Sequence, residues 1–174
     1  MSERVEASIR PEQAGDAAAV DTLLRRAFGR AAEAELVARL RREAPESLAL
    51  VAERAGSIAG HILFSAVTIE GRERSWPAVG LGPMAVEPDD QRRGIGSALV
   101  RAGLDACAAR GEGLVFVLGH PDYYPRFGFR LAARLGLRYG DGVFDGVFFL
   151  AELRPDAAAG RMGQVRYHQA FEGV

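Results

Sequence analysis

The chain has 174 residues, of which 48% are hydrophobic, and a formal net charge of −1, which fits one domain with a sizeable core. The near-neutral charge argues against nonspecific nucleic-acid binding, which normally shows a strong basic excess. Because all 22 basic residues are arginine, a P-loop lysine, a Schiff-base lysine and a serine–lysine dyad are excluded.

The first half of the sequence predicts one strand, two helices and three antiparallel strands. The first strand is Val5–Ile9, and Pro11 ends it. Apolar residues at helical spacing predict a helix over 16–28 and a second helix that ends at Pro45. Turn residues then separate three successive strands, at Leu48–Ala52, Ile58–Ile69 and Ala78–Val86.

The last of these strands contains Gly80, Gly82 and Pro83. A central strand does not accommodate proline, because proline cannot donate a hydrogen bond to its neighbour. We therefore predict a bulge or a splayed edge at this point of the sheet.

The second half predicts a helix over 94–110 and then a buried strand at Leu114–Leu118. A helical turn and three more strands follow, at 121–127, 131–139, 147–153 and 165–171. The predicted fold class is α/β, with a mixed sheet and helices on both faces. We expect residues 1–154 to form the domain and 155–174 a C-terminal extension that docks a strand on it.

The most informative segment is the loop between the strand at 78–86 and the helix at 94–110. Here a short glycine-bearing loop opens directly into a helix, which presents backbone N–H groups and the positive end of a helix dipole to a phosphate. Glycine allows the backbone to approach a ligand closely. We predict that this loop binds a pyrophosphate through residues Gln91, Arg92, Arg93, Gly94, Ile95, Gly96 and Ser97.

Other interpretations of this loop are weaker. A dinucleotide-binding motif needs a third glycine where Leu99 stands. A plain glycine-rich turn into a core helix stays open as the alternative. Ser97 is either a phosphate ligand or a helix cap, and Gln91 either contacts the ligand or fixes the loop. Arg92 and Arg93 are either phosphate ligands or solvated surface residues, and we expect one of the two to contact phosphate.

A second segment, Tyr124-Pro-Arg-Phe-Gly-Phe129, follows the strand after this helix. Because this segment follows the loop at 91–97 in order, residues 5–153 resemble the GNAT superfamily of acetyl-CoA-dependent N-acetyltransferases. It is most similar to the YhbS-like branch, which shares Leu-Gly-Pro-x-Ala-Val and Tyr-Tyr-x-Arg-Phe-Gly-Phe. The resemblance implies a GNAT-like fold whose mostly antiparallel sheet is splayed at the coenzyme site. It also implies that the loop holds the coenzyme A pyrophosphate and that Met84, Ala85 and Val86 pair with the pantetheine arm.

Tyr124 is the predicted general acid, because the resemblance places a tyrosine of this segment at the coenzyme sulfur. A phenol with a pKa near ~10 keeps its proton at neutral pH and can donate it to a thiolate. A core aromatic is the alternative role, and Tyr123 is the competing residue.

The general base does not follow from the sequence. The candidates are His120, Glu70, Glu87 and a water molecule. Family members often carry an asparagine before the tyrosine segment, and this chain has none, which leaves the positioning of the acceptor open.

The remaining reactive side chains are predicted to be structural. Cys107 is expected to pack in the core rather than carry an acetyl group. His61 lies within a long strand and His168 in the tail, and because we see no carboxylate or cysteine cluster around either, we predict no metal site. A single cysteine, no apolar run of about 20 residues and no signal-peptide core at 1–10 favour a cytoplasmic protein.

The leading prediction for function is an N-acetyltransferase that moves an acetyl group from acetyl-CoA to a primary amine by direct attack in a ternary complex. The acceptor is a small metabolite, an aminoglycoside-like compound or a protein amine, and the two helices at 16–42 should wall its site. No nucleic acid or membrane partner is expected, and a monomer and a homodimer are both open. The alternatives are a non-catalytic acyl-CoA-binding sensor or regulatory module and a nucleotide-phosphate enzyme.

Overall fold

The computed structural model of the protein describes residues 6–174. These residues contain three helices and nine strands. In chain order they are β1 (Ser8–Pro11), α1 (Ala17–Phe28), α2 (Ala32–Glu43), β2 (Leu48–Arg54), β3 (Ser57–Glu70), β4 (Ser75–Val86), α3 (Ile95–Ala109), β5 (Leu114–Leu118), β6 (Arg130–Leu131), β7 (Leu137–Arg138), β8 (Phe148–Glu152) and β9 (Gly163–Arg166).

The strands belong to one sheet with the order β1-β2-β3-β4-β5-β8-β6, and β9 pairs with β3 and β7. The pairs β1–β2, β2–β3, β5–β8, β6–β8 and β3–β9 are antiparallel, whereas β4–β5 and β7–β9 are parallel. The prediction of an α/β fold with a mixed, mostly antiparallel sheet is confirmed.

The chain divides into two compact units. The first comprises the described residues up to Phe64, together with Pro83–Gly103 and Ala170–Val174, and the second comprises Ser65–Gly82 and Leu104–Gln169. Strands β3 and β4 each contribute to both units.

The first unit has helices on both faces of its strands. Leu63 of β3 packs in a core cluster with Val20 of α1 and Leu40 of α2. The alternate residues Gly60 and Phe64 face α3 instead, because successive side chains of a strand point to opposite faces. This arrangement fits the predicted pattern of helices on both sides of the sheet.

The second unit has its own aromatic core. The rings of Phe116 on β5 and Phe148 on β8 stack with centroids 5.4 Å apart. Val67 and Ile69 of β3 and Val165 of β9 belong to the same cluster, so the C-terminal strand is part of this core.

Several predicted boundaries need correction. The first strand is Ser8–Pro11, with Pro11 inside it at the sheet edge; Val5 lies outside the described residues. The predicted strand over 131–139 is wrong: a 3-10 turn at Ala132–Leu135 separates β6 from β7, because Gly136 at φ 72° closes the turn in the left-handed region. The last strand is 163–166 rather than 165–171, and a 3-10 turn follows at Gln169–Phe171.

The backbone of β4 is irregular where Gly82 and Pro83 predicted it. The parallel register with β5 covers Val79–Leu81, and Gly82 follows at φ 146°, a conformation that side-chain-bearing residues rarely adopt. The irregularity is therefore confirmed for the backbone, while the splaying of the sheet stays a prediction.

Asp16 provides an acid-sensitive contact at the start of α1. Arg10 donates two hydrogen bonds to its carboxylate, at 2.7 and 3.0 Å, and the Gln13 N–H donates a third. These donors, Arg10 first, lower the pKa of Asp16 from 3.8 to about 2. The stabilisation is therefore complete above pH 3.8 and is lost as the pH falls through about 2.

We expect Asp16→Asn to lower the free energy of unfolding at neutral pH and to flatten its decrease between pH 4 and pH 2. Denaturant titrations across this pH range measure both effects. Asp105→Asn, at an exposed position of α3, is the control. Its free energy of unfolding should depend on pH as that of the wild type does. If Asp16→Asn lowered the free energy of unfolding equally at every pH, the stabilisation by Asp16 would not come from its charge.

Candidate active site

The loop between β4 and α3 is anchored at its start by backbone and side-chain hydrogen bonds. The Glu87 N–H donates to the Ala59 carbonyl at 2.8 Å, and a 3-10 turn follows at Pro88–Asp90. Gln91 Nε2 donates to the Val86 carbonyl at 3.2 Å. This contact fits a role of Gln91 in fixing the shape of the loop.

The backbone of the loop turns twice through the left-handed region. Arg92 has φ 62° and Gly94 has φ 92°. The first of the i to i−4 hydrogen bonds of α3 runs from the Ala98 N–H to the Gly94 carbonyl at 3.0 Å. The N–H groups of residues 95–97 precede it and have no acceptor within the helix. They form the kind of N-terminus that binds anions.

The arginines of the loop differ in their surroundings. Arg93 Nη1 lies 3.5 Å from Asp90 Oδ1, and Arg54 Nη1 of β2 donates to the same oxygen at 2.8 Å. Asp90 is buried and ties the loop to β2. Part of the charge of Arg93 is thus balanced locally, while Arg92 occupies the strained left-handed position.

The end of β4 presents alternating side chains. Ala85 is buried in the core cluster of the first unit, and Met84 and Val86 are half-buried. By strand alternation these two point to the opposite face from Ala85. The roles of the three residues in binding a coenzyme arm stay predictions.

Tyr124 lies in the second unit, in a 3-10 turn at Tyr124–Phe127 that Gly128 closes at φ 87°. Its ring packs so closely on Gly119 that a Cβ there would lie 2.3 Å from Tyr124 Cε2. The Phe129 ring meets it edge to face, with centroids 5.6 Å apart. Burial raises the pKa of the Tyr124 phenol, so the group keeps its proton.

Tyr123 has a different environment. It is half-buried, and the guanidinium of Arg126 lies 4.5 Å from its ring centroid. Its ring meets that of Tyr124 edge to face at 5.1 Å. The two tyrosines of this turn therefore have different surroundings.

The three side chains considered as general bases are not alike. His120 is exposed after β5, and its carbonyl accepts hydrogen bonds from the next turn. Glu70 is paired with Arg166 at 2.9 Å, and Glu87 with Arg26 at 2.6 Å. Both carboxylates thus already have a cationic partner.

A family model described as "Acetyltransferase (GNAT) domain" matches residues 8–132. Over 164 residues the chain is 40% identical to the uncharacterized N-acetyltransferase YhbS of Escherichia coli K12. The alignment covers 94% of this chain and 97% of that protein. The chain belongs to the GNAT acetyltransferase family. The resemblance predicted from the loop and the tyrosine segment is confirmed, including the YhbS-like branch.

Two solved structures are similar to this GNAT chain and contain the coenzyme. The N-acetyltransferase YhbS from Escherichia coli, in complex with CoA, has a TM-score of 0.89 and 37% identity, covering 98% of this chain and 94% of that one. A GNAT family acetyltransferase from Brucella melitensis, in complex with acetyl-CoA, has a TM-score of 0.77 and 36% identity, covering 96% and 99%. The predictions of an N-acetyltransferase and of acetyl-CoA as its co-substrate are confirmed at the level of the GNAT family.

One interaction in this GNAT chain was missed from the sequence. Glu12 Oε2 lies 3.0 Å from His61 Nε2, a single carboxylate that the sequence analysis did not place beside this histidine. The two residues are 49 positions apart, and no local motif connects them. Only the pairing of β1 with β2 and of β2 with β3 brings them together.

One further side chain, that of Cys107, lies where the sequence predicted it. Cys107 is buried, and burial raises its pKa to about 12, which fits core packing. Within residues 6–174 no group of three or more histidine, cysteine, aspartate or glutamate side chains could hold a metal ion. None of the described helices is both long and apolar enough to cross a membrane.

Proposed function

We propose that the protein transfers an acetyl group from acetyl-CoA to a primary amine by direct attack in a ternary complex. The observation that carries this proposal is the loop at 91–97, where left-handed backbone and the first N–H groups of a helix, which have no acceptor within the helix, follow β4. That the two relatives were crystallised with CoA and acetyl-CoA supports the same ligand here.

Each part of the chain has a proposed role in this reaction. The N–H groups of Gly94 to Ser97, with Arg92 or Arg93, hold the pyrophosphate. Backbone groups of Met84–Val86 pair with the pantetheine arm, and one N–H polarises the acetyl carbonyl. The amine, after losing one proton, attacks that carbon, the carbon–sulfur bond breaks, and Tyr124 donates its proton to the leaving thiolate. The nitrogen releases a further proton as the amide forms, and the phenol regains one from solvent.

The boundaries of the domain and its compartment complete the proposal. Residues 1–154 form the acetyltransferase domain, and 155–174 are an extension whose strand β9 pairs with β3 and β7. The pairing supports docking on the same domain. A cytoplasmic protein fits the single cysteine, which is buried.

Ligand-dependent stabilisation tests the proposed coenzyme. Acetyl-CoA or CoA at about 100 times its Kd should raise the free energy of unfolding by about 2.7 kcal/mol, whereas ATP and NAD should change it little. Thermal-shift measurements with these four ligands read the difference directly. Stronger protection by ATP or NAD would instead support a nucleotide-phosphate enzyme.

Single variants then test the two arginines. Replacing the arginine that contacts phosphate by glutamine should weaken acetyl-CoA binding by about tenfold or more, because a charge-assisted hydrogen bond is lost. The other variant is the matched control. Unchanged affinity in both Arg92→Gln and Arg93→Gln, measured by calorimetry, would leave the backbone amides as the phosphate site and contradict an arginine contact.

A further inference from the structure

A buried polar cluster lies in the first unit, and its residues belong to neither the loop at 91–97 nor the tyrosine segment. His61 of β3 is fully buried, with Nε2 3.0 Å from Glu12 Oε2. The other carboxylate oxygen of Glu12 accepts a hydrogen bond from Arg41 Nε of α2 at 2.9 Å. The second ring nitrogen of His61, Nδ1, is buried and has no hydrogen-bond partner among residues 6–174. Buried polar atoms in native proteins are nearly always paired, so this nitrogen points to a ligand or a function.

The partners of the ring determine where its proton is. Burial by itself would raise the pKa of Glu12, but the hydrogen bonds and charge interactions with His61 and then Arg41 outweigh it and lower the pKa. A carboxylate can only accept, so His61 Nε2 carries the proton and donates to Glu12. In the neutral ring Nδ1 then keeps its lone pair. This is the arrangement in which a carboxylate prepares an imidazole to take up a proton.

The register of β3 brings His61 beside the strand end proposed for the coenzyme arm. The Glu87 N–H donates to the Ala59 carbonyl, and continuing this antiparallel ladder by two residues places His61 opposite Ala85. Residues opposite each other share a face of the sheet. Ala85 packs in one cluster with Leu63, which lies on the His61 side of β3. This face is covered by α1 and α2, the helices expected to wall the acceptor site.

The other charged groups around this cluster are already in ion pairs. Arg10 occupies the same register row of the sheet as His61, with Val51 between them. Its guanidinium is held by Asp16 and Glu53. Arg26 of α1 is paired with Glu87 after β4. Among the described ion pairs, Glu12 is therefore the carboxylate that acts directly on the imidazole.

We propose that His61 accepts, through a water molecule, the proton that the acceptor amine loses, and that Glu12 positions the ring for it. This inference rests on the proposed function. The ammonium gives a proton to the water as the water gives one to Nδ1, which leaves the amine nitrogen with its electron pair. That nitrogen bonds to the acetyl carbon, the carbon–sulfur bond breaks, and Tyr124 protonates the leaving thiolate. The nitrogen releases its second proton to solvent as the amide forms, and the phenol regains a proton from solvent. The imidazolium then returns its proton to solvent.

Two probe amines that differ in their need for a base test this proposal. Ethylamine is an ammonium ion at neutral pH and must lose a proton, whereas hydroxylamine is largely uncharged. His61→Gln should lower kcat/KM for ethylamine by about 100-fold and change that for hydroxylamine less than about threefold. A distorted fold would slow both amines alike. The ratio of the two rates therefore separates proton transfer from structural damage, and equal losses would overturn the proposal.

Two further variants sharpen the comparison. Glu12→Gln keeps a group of the same shape and removes the charge, so it should give a smaller loss that is again specific to ethylamine. It also replaces His61→Gln as the test if that variant does not fold. His120→Gln tests the competing hypothesis that His120 is the general base. An ethylamine-specific loss in His120→Gln would overturn the role of His61.

The ring itself can be observed without any acceptor. The chain has three histidines, so ¹H–¹⁵N spectra of the ring nitrogens, assigned with the two histidine variants, resolve each tautomer. We expect a proton on Nε2 and an acceptor at Nδ1 of His61 at neutral pH, and a protonated Nδ1 would overturn the proposal. Transfer to neither amine by the wild-type protein would contradict the proposed function instead, and the spectra distinguish that result from a wrong ring state.

Discussion

Replacing Tyr124 with phenylalanine should lower the turnover of acetyl transfer by about 10²–10⁴-fold, the usual contribution of a general acid. The substitution removes only the hydroxyl. The ring that packs on Gly119 and Phe129 remains, so the fold and the affinity for acetyl-CoA should stay close to those of the wild type. Burial raises the pKa of this phenol, so the hydroxyl is protonated at neutral pH and is a hydrogen-bond donor.

The neighbouring tyrosine offers a matched control for this experiment. Tyr123→Phe removes the same atom from the same turn, but its ring is half-buried and lies against Arg126. Turnover is measured as thiol release with an amine found in an acceptor library, and affinity by calorimetry with acetyl-CoA. A large loss in Tyr123→Phe with normal turnover in Tyr124→Phe would reverse the assignment. Normal acetyl-CoA binding without turnover of any amine by the wild-type protein would favour a sensor.

The helices and long strands could be predicted because their signals are periodic and extend over many residues. α1 and α3 were located within one residue at each end, and the strand at Leu114–Leu118 was located without error. The segment 131–139 failed because alternating apolar residues also fit a tight 3-10 turn. Only the left-handed backbone of Gly136 decides between the two structures.

The candidate site also has parts that the sequence predicts and parts that it does not. The loop at 91–97 and the tyrosine segment are each contiguous, so their residues and spacing are visible in the sequence. The pairing of His61 with Glu12 and the contact of Arg54 with Asp90 are not visible, because each joins residues 36 or more positions apart. Such contacts depend on strand pairing. A single sequence predicts that strands exist, but it leaves their register open.

Gly103→Ala should destabilise the protein although alanine is the better helix former. Gly103 lies inside α3, where this exchange alone would favour the helix by about 1 kcal/mol. The added Cβ, however, would lie 2.2 Å from Cε2 and 2.3 Å from Cζ of Phe64. Phe64 is 1% exposed, so its ring has no open space to move into. We expect the clash to prevail and the free energy of unfolding to fall by about 1–3 kcal/mol.

Denaturant titration of a double-mutant cycle measures this contact. Phe64→Leu alone loses packing, but together with Gly103→Ala it provides the room that the new methyl group needs, so the two changes should couple favourably by about 0.5–3 kcal/mol. Gly146→Ala, where a Cβ would meet nothing within 4 Å, is the control and should cost little. A displaced α3 would also move the N–H groups of residues 95–97, so Gly103→Ala should weaken acetyl-CoA binding and the double variant should restore it. Stabilisation by Gly103→Ala would contradict the close packing of α3 on β3.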